Sequence, residues 1–298
     1  MTGLRLLIIF FELLICAFLR SQGLNYDGLE LYDTYMQNPA EIEAENNFQL
    51  DAIGYSHWIG FPGHPEGYLI NSIGTIKKIH SSVRLSFENG TFAYSPDRTL
   101  NFGYAFKHPF NSDLSLGAGL NYSTGKIRTD DSYIDTSRPD IPTYYEQKTG
   151  SIDMGLALKY KRLSLGLNSR FTLINKVRMK YRNREDVKYS GTTGFNKIYF
   201  SSRYTIPVLK KFNITPEIAF DTYNDTGSEF TAKFYPGLLA DYKEIVGIGA
   251  VHYWYTSFMA YAKLFKRFRI YIAVFNGKIH QDNVDLGWNF NGQLRINI

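Results

Sequence analysis

Residues 288–298 constrain this chain more than any other stretch. Trp288, Phe290, Gly292, Leu294, Ile296 and Ile298 take one side of a two-residue repeat, and Asn289, Asn291, Gln293, Arg295 and Asn297 take the other. A period of two marks a β-strand with one apolar and one polar face. In a soluble sheet, a strand this regular at the chain end would be an edge open to aggregation. In a closed barrel it has a partner, because the last strand pairs with the first.

The same pattern recurs upstream from about Gln49. Leu100, Phe102, Tyr104 and Phe106 oppose Asn101, Gly103, Ala105 and Lys107. Leu114, Leu116, Ala118, Leu120 and Tyr122 oppose Ser115, Gly117, Gly119, Asn121 and Ser123. Ile152 to Tyr160, Leu163 to Leu167, Ile198 to Ile206 and Phe268 to Val274 repeat it. The polar faces are small and hydrophilic, as a wet or plugged lumen requires. Connections alternate in length. The longer ones fall at 59–67, 90–97, 124–150, 173–196, 222–228 and 276–284, with an exception near Trp254-Tyr255. The shorter ones are Lys77–His80, His108–Asp113, Lys161-Arg162, Pro207–Lys211, Asp241–Glu244 and Phe265–Arg267. Sorting by parity is expected of a membrane barrel, with short turns in the periplasm and long loops outside, and a β-sandwich has no reason for it. The expected fold is all-β, a transmembrane antiparallel up-and-down barrel of about fourteen strands. An even strand count puts both termini in the periplasm of a bacterial outer membrane.

Composition agrees. Aromatic residues make up 16% of the 298, with 23 Tyr and 22 Phe, types that suit half-buried strands and membrane interfaces. The mean hydropathy of −0.26 is too polar for a helical membrane protein, yet it suits a barrel whose lipid and lumen faces alternate. The net charge of +5 does not point to nucleic acid, because the cations fall in turns and at alternate positions without a binding motif.

Three regions are expected. Residues 1–23 read as a signal peptide, with Arg5 before the apolar run Leu6–Phe11 and Leu13–Leu19, then Arg20-Ser21-Gln22-Gly23. The one cysteine, Cys16, lies within that run, so residues 24–298 carry no thiol or disulfide. Residues 24–47 do not alternate and hold Asn38-Pro39 and the acidic Glu41, Glu43 and Glu45. They form a short periplasmic segment, a plug entering the lumen, or a linker packed beneath the barrel. Residues 48–298 form the barrel.

No catalytic, cofactor or metal site is expected. Histidines 57, 64, 80, 108, 252 and 280 are scattered without metal-ligand spacing, and neither G-x-S-x-G nor a P-loop occurs. Asp130, Asp131 and Asp135, and Asp221 with Asp225, lack EF-hand spacing and read as solvated loops. Lys176, Arg178, Lys180, Arg182 and Arg184 alternate with other residues along a hairpin expected to rise above the membrane. These cations suit an anionic partner, such as lipopolysaccharide phosphates or an acidic protein, or are simply solvated. Trp58-Ile59-Gly60-Phe61-Pro62-Gly63-His64-Pro65 packs two prolines and two glycines into a loop with apolar Trp58 and Phe61, fit to constrict the lumen or form a contact patch.

That last stretch resembles the W-x-G-F-x-G-x-P signature of the PorP/SprF family, through Trp58, Gly60, Phe61, Gly63 and Pro65. Upstream, Tyr35-Met36-Gln37-Asn38-Pro39 is similar to the family's Y-M-x-N-P start, with Tyr35, Met36, Asn38 and Pro39 in place. Where the family usually carries a second N-P-A and a Tyr-Ala-Gly, this chain has Glu43-Ala44-Glu45-Asn46-Asn47. The resemblance spans essentially the whole chain after the signal. It implies a non-enzymatic outer-membrane component of the Bacteroidetes type IX secretion and gliding apparatus. The implied partners are outer-membrane lipid, a secreted cargo or adhesin and other secretion components. The competing expectation is an outer-membrane channel or a transporter of small solutes or fatty acids.

Overall fold

A computed structural model describes residues 29, 33–59, 64–92, 95–129, 144–181, 184–190, 194–223, 231–252, 256–265, 267–279 and 284–298. The first strands are β1 (Phe48–Ile59), β2 (Glu66–Ile76), β3 (Ser81–Phe92), β4 (Ser95–Pro109) and β5 (Leu114–Thr129). Next come β6 (Tyr144–Tyr160), β7 (Leu163–Tyr181), β8 (Arg184–Ser190), β9 (Gly194–Tyr204), β10 (Ile206–Leu209) and β11 (Phe212–Tyr223). The wall is completed by β12 (Thr231–Tyr242), β13 (Val246–His252), β14 (Thr256–Leu264), β15 (Phe268–Ile279) and β16 (Val284–Asn297).

All pairings are antiparallel and join consecutive strands, except that β9 pairs with β7 and β11 and that β16 pairs with β1 to close the sheet. The sixteen segments make fourteen staves. β9 and β10 lie along successive parts of β11 and form one stave, and β8 pairs only with the upper part of β7. Closure explains why β16 alternates to its end. Its partners are β15 on one side and β1 on the other, so neither edge is left open.

Burial is inverted relative to a soluble protein. On β16, Asn289, Asn291, Gln293, Arg295 and Asn297 are buried, while Trp288, Phe290 and Leu294 are exposed, as is Ile298 just beyond it. On β3, Ser82, Arg84 and Ser86 face in, and Val83, Leu85 and Phe87 face out. The exposed apolar bands belong in lipid.

The short connections gather at one end, beside Phe48 and Ile298, and the longer ones at the other. The short turns carry left-handed backbone at non-glycine residues, namely His80, Lys161, Lys243, Glu244 and Phe265. The expected loop at 90–97 is mostly strand, since β3 runs to Phe92 and β4 starts at Ser95. β6 and β7, at 17 and 19 residues, are longer than the roughly 9–11 residues needed to cross a bilayer. Together with β5 and β8 they rise past the rim as a flap, so the expected basic hairpin is strand on both sides.

The lumenal plug as candidate functional site

Residues 33–47 lie inside the barrel. From Asn47, whose carbonyl accepts from the Thr75 N–H, the chain climbs from the short-turn mouth into the lumen. Two 3-10 turns, Thr34–Met36 and Pro39–Glu41, shape it. Asn38 caps the second turn, its Oδ1 accepting from the Ala40 N–H at 3.0 Å, with Pro39 at the first helical position where no N–H is needed.

The wall makes room for the turn with glycine. Gly119 of β5 and Gly155 of β6 stand opposite each other on the lumenal face. A Cβ on Gly119 would sit 2.3 Å from the Pro39 carbonyl carbon, and one on Gly155 would sit 2.1 Å from Asn38 Oδ1. Gly103 and Gly166 likewise abut Ile42 and Asn38. Polar wall groups then fix the backbone. Asn38 Nδ2 donates to the Leu156 carbonyl and Asn168 Nδ2 to the Gln37 carbonyl, both at 2.8 Å, and the Ala44 N–H donates to Thr75 Oγ1 at 2.8 Å.

Ion pairs join Asp33, Glu43 and Glu45 of the plug to the wall. Arg295 of β16 donates Nε to Asp51 of β1 at 2.7 Å and also pairs with Asp33 of the plug. Gln293 donates to Asp33 at 2.7 Å, and the Tyr35 hydroxyl donates to Asp51 at 2.7 Å while the Arg84 guanidinium lies 5.0 Å over its ring. Burial pushes the Asp33 carboxyl above the ordinary carboxylate value, and the Arg295 charge opposes that rise. Burial also pushes the Tyr35 phenol far above its usual value, which keeps it a neutral donor to Asp51. Nearer the mouth, Glu43 pairs with Lys107 and Glu45 with Arg269. The stretch that departs from the family pattern is thus the one that supplies these two ion pairs.

Apolar contacts complete the seat. Tyr35, Ile42 and Ala44 pack with Ile73 and Ala105. Leu29 is fully buried among Ile53, Leu69, Tyr199, Tyr235 and Tyr271, and Met36 packs against both groups. Between the plug and the wall near the short turns lies a cavity of about 530 Å³, lined in part by Glu41, Glu43, Lys107, Lys159 and Arg203. The plug residues and their wall partners offer hydrogen bonds and ion pairs.

The structure brings Tyr35, Met36, Asn38 and Pro39 together in the lumen. Gly60, Phe61 and Gly63 lie outside the described residues, as does the Trp58 side chain. Pro65 is buried, and its carbonyl accepts from the His57 N–H at 2.8 Å. Lys176, Arg178 and Lys180 are exposed on the flap, Arg184 begins β8, and Arg182 lies outside the described residues. His57 bonds Asn291, and His108 sits between Phe106 and Phe110. Asp221 pairs with Lys197, whereas Asp130, Asp131, Asp135, Asp225 and His280 lie outside the described residues. Sequence reading missed the wall partners Gly119, Gly155, Asn168 and Arg295; their positions within a polar strand face were visible, and their convergence on one segment was not.

Several solved barrels are similar in fold. The CymD monoaromatic hydrocarbon channel aligns at TM-score 0.53 and 9% identity, covering 92% of this chain and 94% of that one. The Ralstonia pickettii toluene transporter TbuX aligns at 0.53 and 10%, covering 89% and 93%. A Pseudomonas aeruginosa FadL homologue aligns at 0.50 and 11%, covering 87% and 92%. At these identities the likeness concerns the outer-membrane barrel fold alone. No curated protein sequence matches the chain. The family model described as type IX secretion system membrane protein PorP/SprF matches residues 30–295, a span that includes the plug and reaches into the last strand. The chain therefore belongs to the PorP/SprF family of type IX secretion system membrane proteins.

Proposed function

We propose that this protein is a non-enzymatic, plugged outer-membrane component of the type IX secretion and gliding machinery, with both termini in the periplasm. It assists export or surface attachment of a secreted partner protein. The observation that carries this reading is the seating of residues 33–47 in the lumen by ion pairs and a glycine cradle, which makes the barrel a filled wall. The flap and long loops offer the partner an outer surface, and the short turns face the rest of the machinery. The test compares the surface and supernatant proteomes of wild-type and deletion strains. Selective loss of one or a few large secreted proteins from the surface is expected; an unchanged surface proteome would sink the reading.

A second reading is a channel or transporter for small solutes. It draws support from the similar barrels, one a monoaromatic hydrocarbon channel and one a toluene transporter, and from the 530 Å³ cavity. Planar-bilayer conductance separates the two, since a seated plug predicts little current and an open path predicts steady unitary steps.

A further inference from the structure

The pairing register places Arg98 of β4, Lys126 of β5, Lys148 of β6 and Lys176 of β7 directly opposite one another in a single row across four staves. All four are exposed. Like charges facing each other across strands destabilise a sheet, so this arrangement needs a reason outside the chain's own folding. One level higher, Arg128, Glu146, Arg178 and Lys188 form a second row across β5 to β8. The two rows hold one carboxylate, Glu146, which pairs with Lys126 at 2.8 Å and Lys148 at 3.5 Å.

The rows face outward. Arg98 has the parity of exposed Leu100, Phe102 and Tyr104, and Lys126 that of exposed Leu120 and Tyr122. On β7 an irregularity brings this about. Gly150 pairs with Ile174 while Ser151 pairs with Thr172, leaving Leu173 as an extra residue. Below it, Asn168 and Arg170 face the lumen, where Arg170 grips Asp153. Above it, Lys176 and Arg178, of the same parity, join the outward face.

Height fixes what the row meets. A strand crosses the hydrocarbon in about 9–11 residues. Counted from the short-turn ends at Pro109, Leu114, Tyr160 and Leu163, that distance runs out close to Thr99, Thr124, Gly150 and Leu173. The row of four cations is the next outward level above the apolar band that includes Leu100, Phe102 and Tyr122. Outward-facing cations at that height sit among lipid headgroups and not in the lumen.

We propose that Arg98, Lys126, Lys148 and Lys176 form a binding site for the phosphorylated glycolipid headgroup (lipid A) of the outer leaflet, backed by Arg128, Arg178 and Lys188. Lysine and arginine in a flat array match several phosphate oxygens at once. The proposal rests on the orientation given above, with the flap facing outward, and not on the secretion role.

The test is native mass spectrometry of the detergent-solubilised full-length chain titrated with bisphosphorylated lipid A. Wild type is expected to retain it, and the R98Q/K126Q/K148Q/K176Q variant to bind about tenfold more weakly or worse. Fully dephosphorylated lipid A should bind wild type no better than phosphorylated lipid A binds that variant. K210Q/K211Q, altered at the short turns, should bind like wild type. R98Q/K176Q, which leaves both partners of Glu146 in place, should show a partial loss and guards against a folding defect in the quadruple variant. Equal binding by wild type and both row variants would overturn the proposal. So would equal retention of phosphatidylglycerol, which reports unselective anion attraction, or an acidic peptide that displaces lipid A, which reports a protein site. Lipid retention is read on the isolated barrel, so it stays informative if a deletion strain keeps its surface proteome.

Discussion

The lumen and the flap use the same charged residue types in opposite ways. Inside, Asp33, Glu43 and Glu45 of the plug meet Arg295, Lys107 and Arg269 of the wall. On the flap, Arg98, Lys126, Lys148 and Lys176 face one another. A charge removed from water is costly unless its partner is built in. A charge at a wet interface tolerates its neighbours and remains available to something else. The difference separates groups that hold the protein together from groups presented to its surroundings.

The largest effect should come from breaking the inner match. Arg295→Met leaves Asp33 and Asp51 buried without their guanidinium and should cost about 3–5 kcal/mol. The loss would be read as a lower midpoint of heat-modifiable gel mobility, and an unchanged midpoint would erase the distinction between the two regions. Next comes the cradle. Gly119→Val forces a side chain into the Pro39 backbone and should displace the plug while the barrel stays closed, at about 1–3 kcal/mol. Protease cleavage within 33–47 would report it. Gly54→Val is the matched outward control, because a Cβ there meets nothing within 4 Å. Asn38→Ala removes the bond to the Leu156 carbonyl and the turn cap, and should weaken plug protection by about 1–3 kcal/mol in hydrogen exchange.

The smallest effect lies on the flap. Lys126, through its hydrogen bond, and the Tyr144 hydroxyl hold the Glu146 carboxyl down at about 2, against an ordinary value of 4.5. A depressed folded value stabilises above the unfolded one and is lost as pH falls through the folded one. Amide protection factors in β5–β8, corrected for the intrinsic exchange rate, should therefore fall modestly between pH 4.5 and about 2, and Glu146→Gln should remove that dependence. An acid response of equal size in the lumen would blur the contrast.

Much of the fold was legible in the sequence because period-two alternation and loop parity are local. The β16 faces and the basic turn Lys161-Arg162 were read directly from neighbouring residues. What escaped reading depends on register. Gly119 and Gly155 look like ordinary small lumenal residues until pairing sets them opposite each other beneath Pro39. The extra residue at Leu173 turns Lys176 and Arg178 to the outward face, and no local pattern marks it. The turns at Lys243-Glu244 and Phe265 adopt left-handed backbone without the Asn-Gly or Asp-Gly that would announce it. Tyr35, Asn38 and Pro39 were flagged by family resemblance, while their roles as donor, cap and turn starter emerged only from the packed lumen.

The Arg295 cluster also bears on how the barrel is completed. Its members come from the segment before the first strand, from the first strand and from the last, so they meet only when the seam between β1 and β16 shuts. A chain truncated before its final strand would leave Asp33 and Asp51 without the guanidinium that pairs with both, and one whose plug stayed outside would leave Arg295 with one carboxylate in place of two. The trio thus ties the seated first residues to both strands of the seam, so that plug and closure stabilise one another.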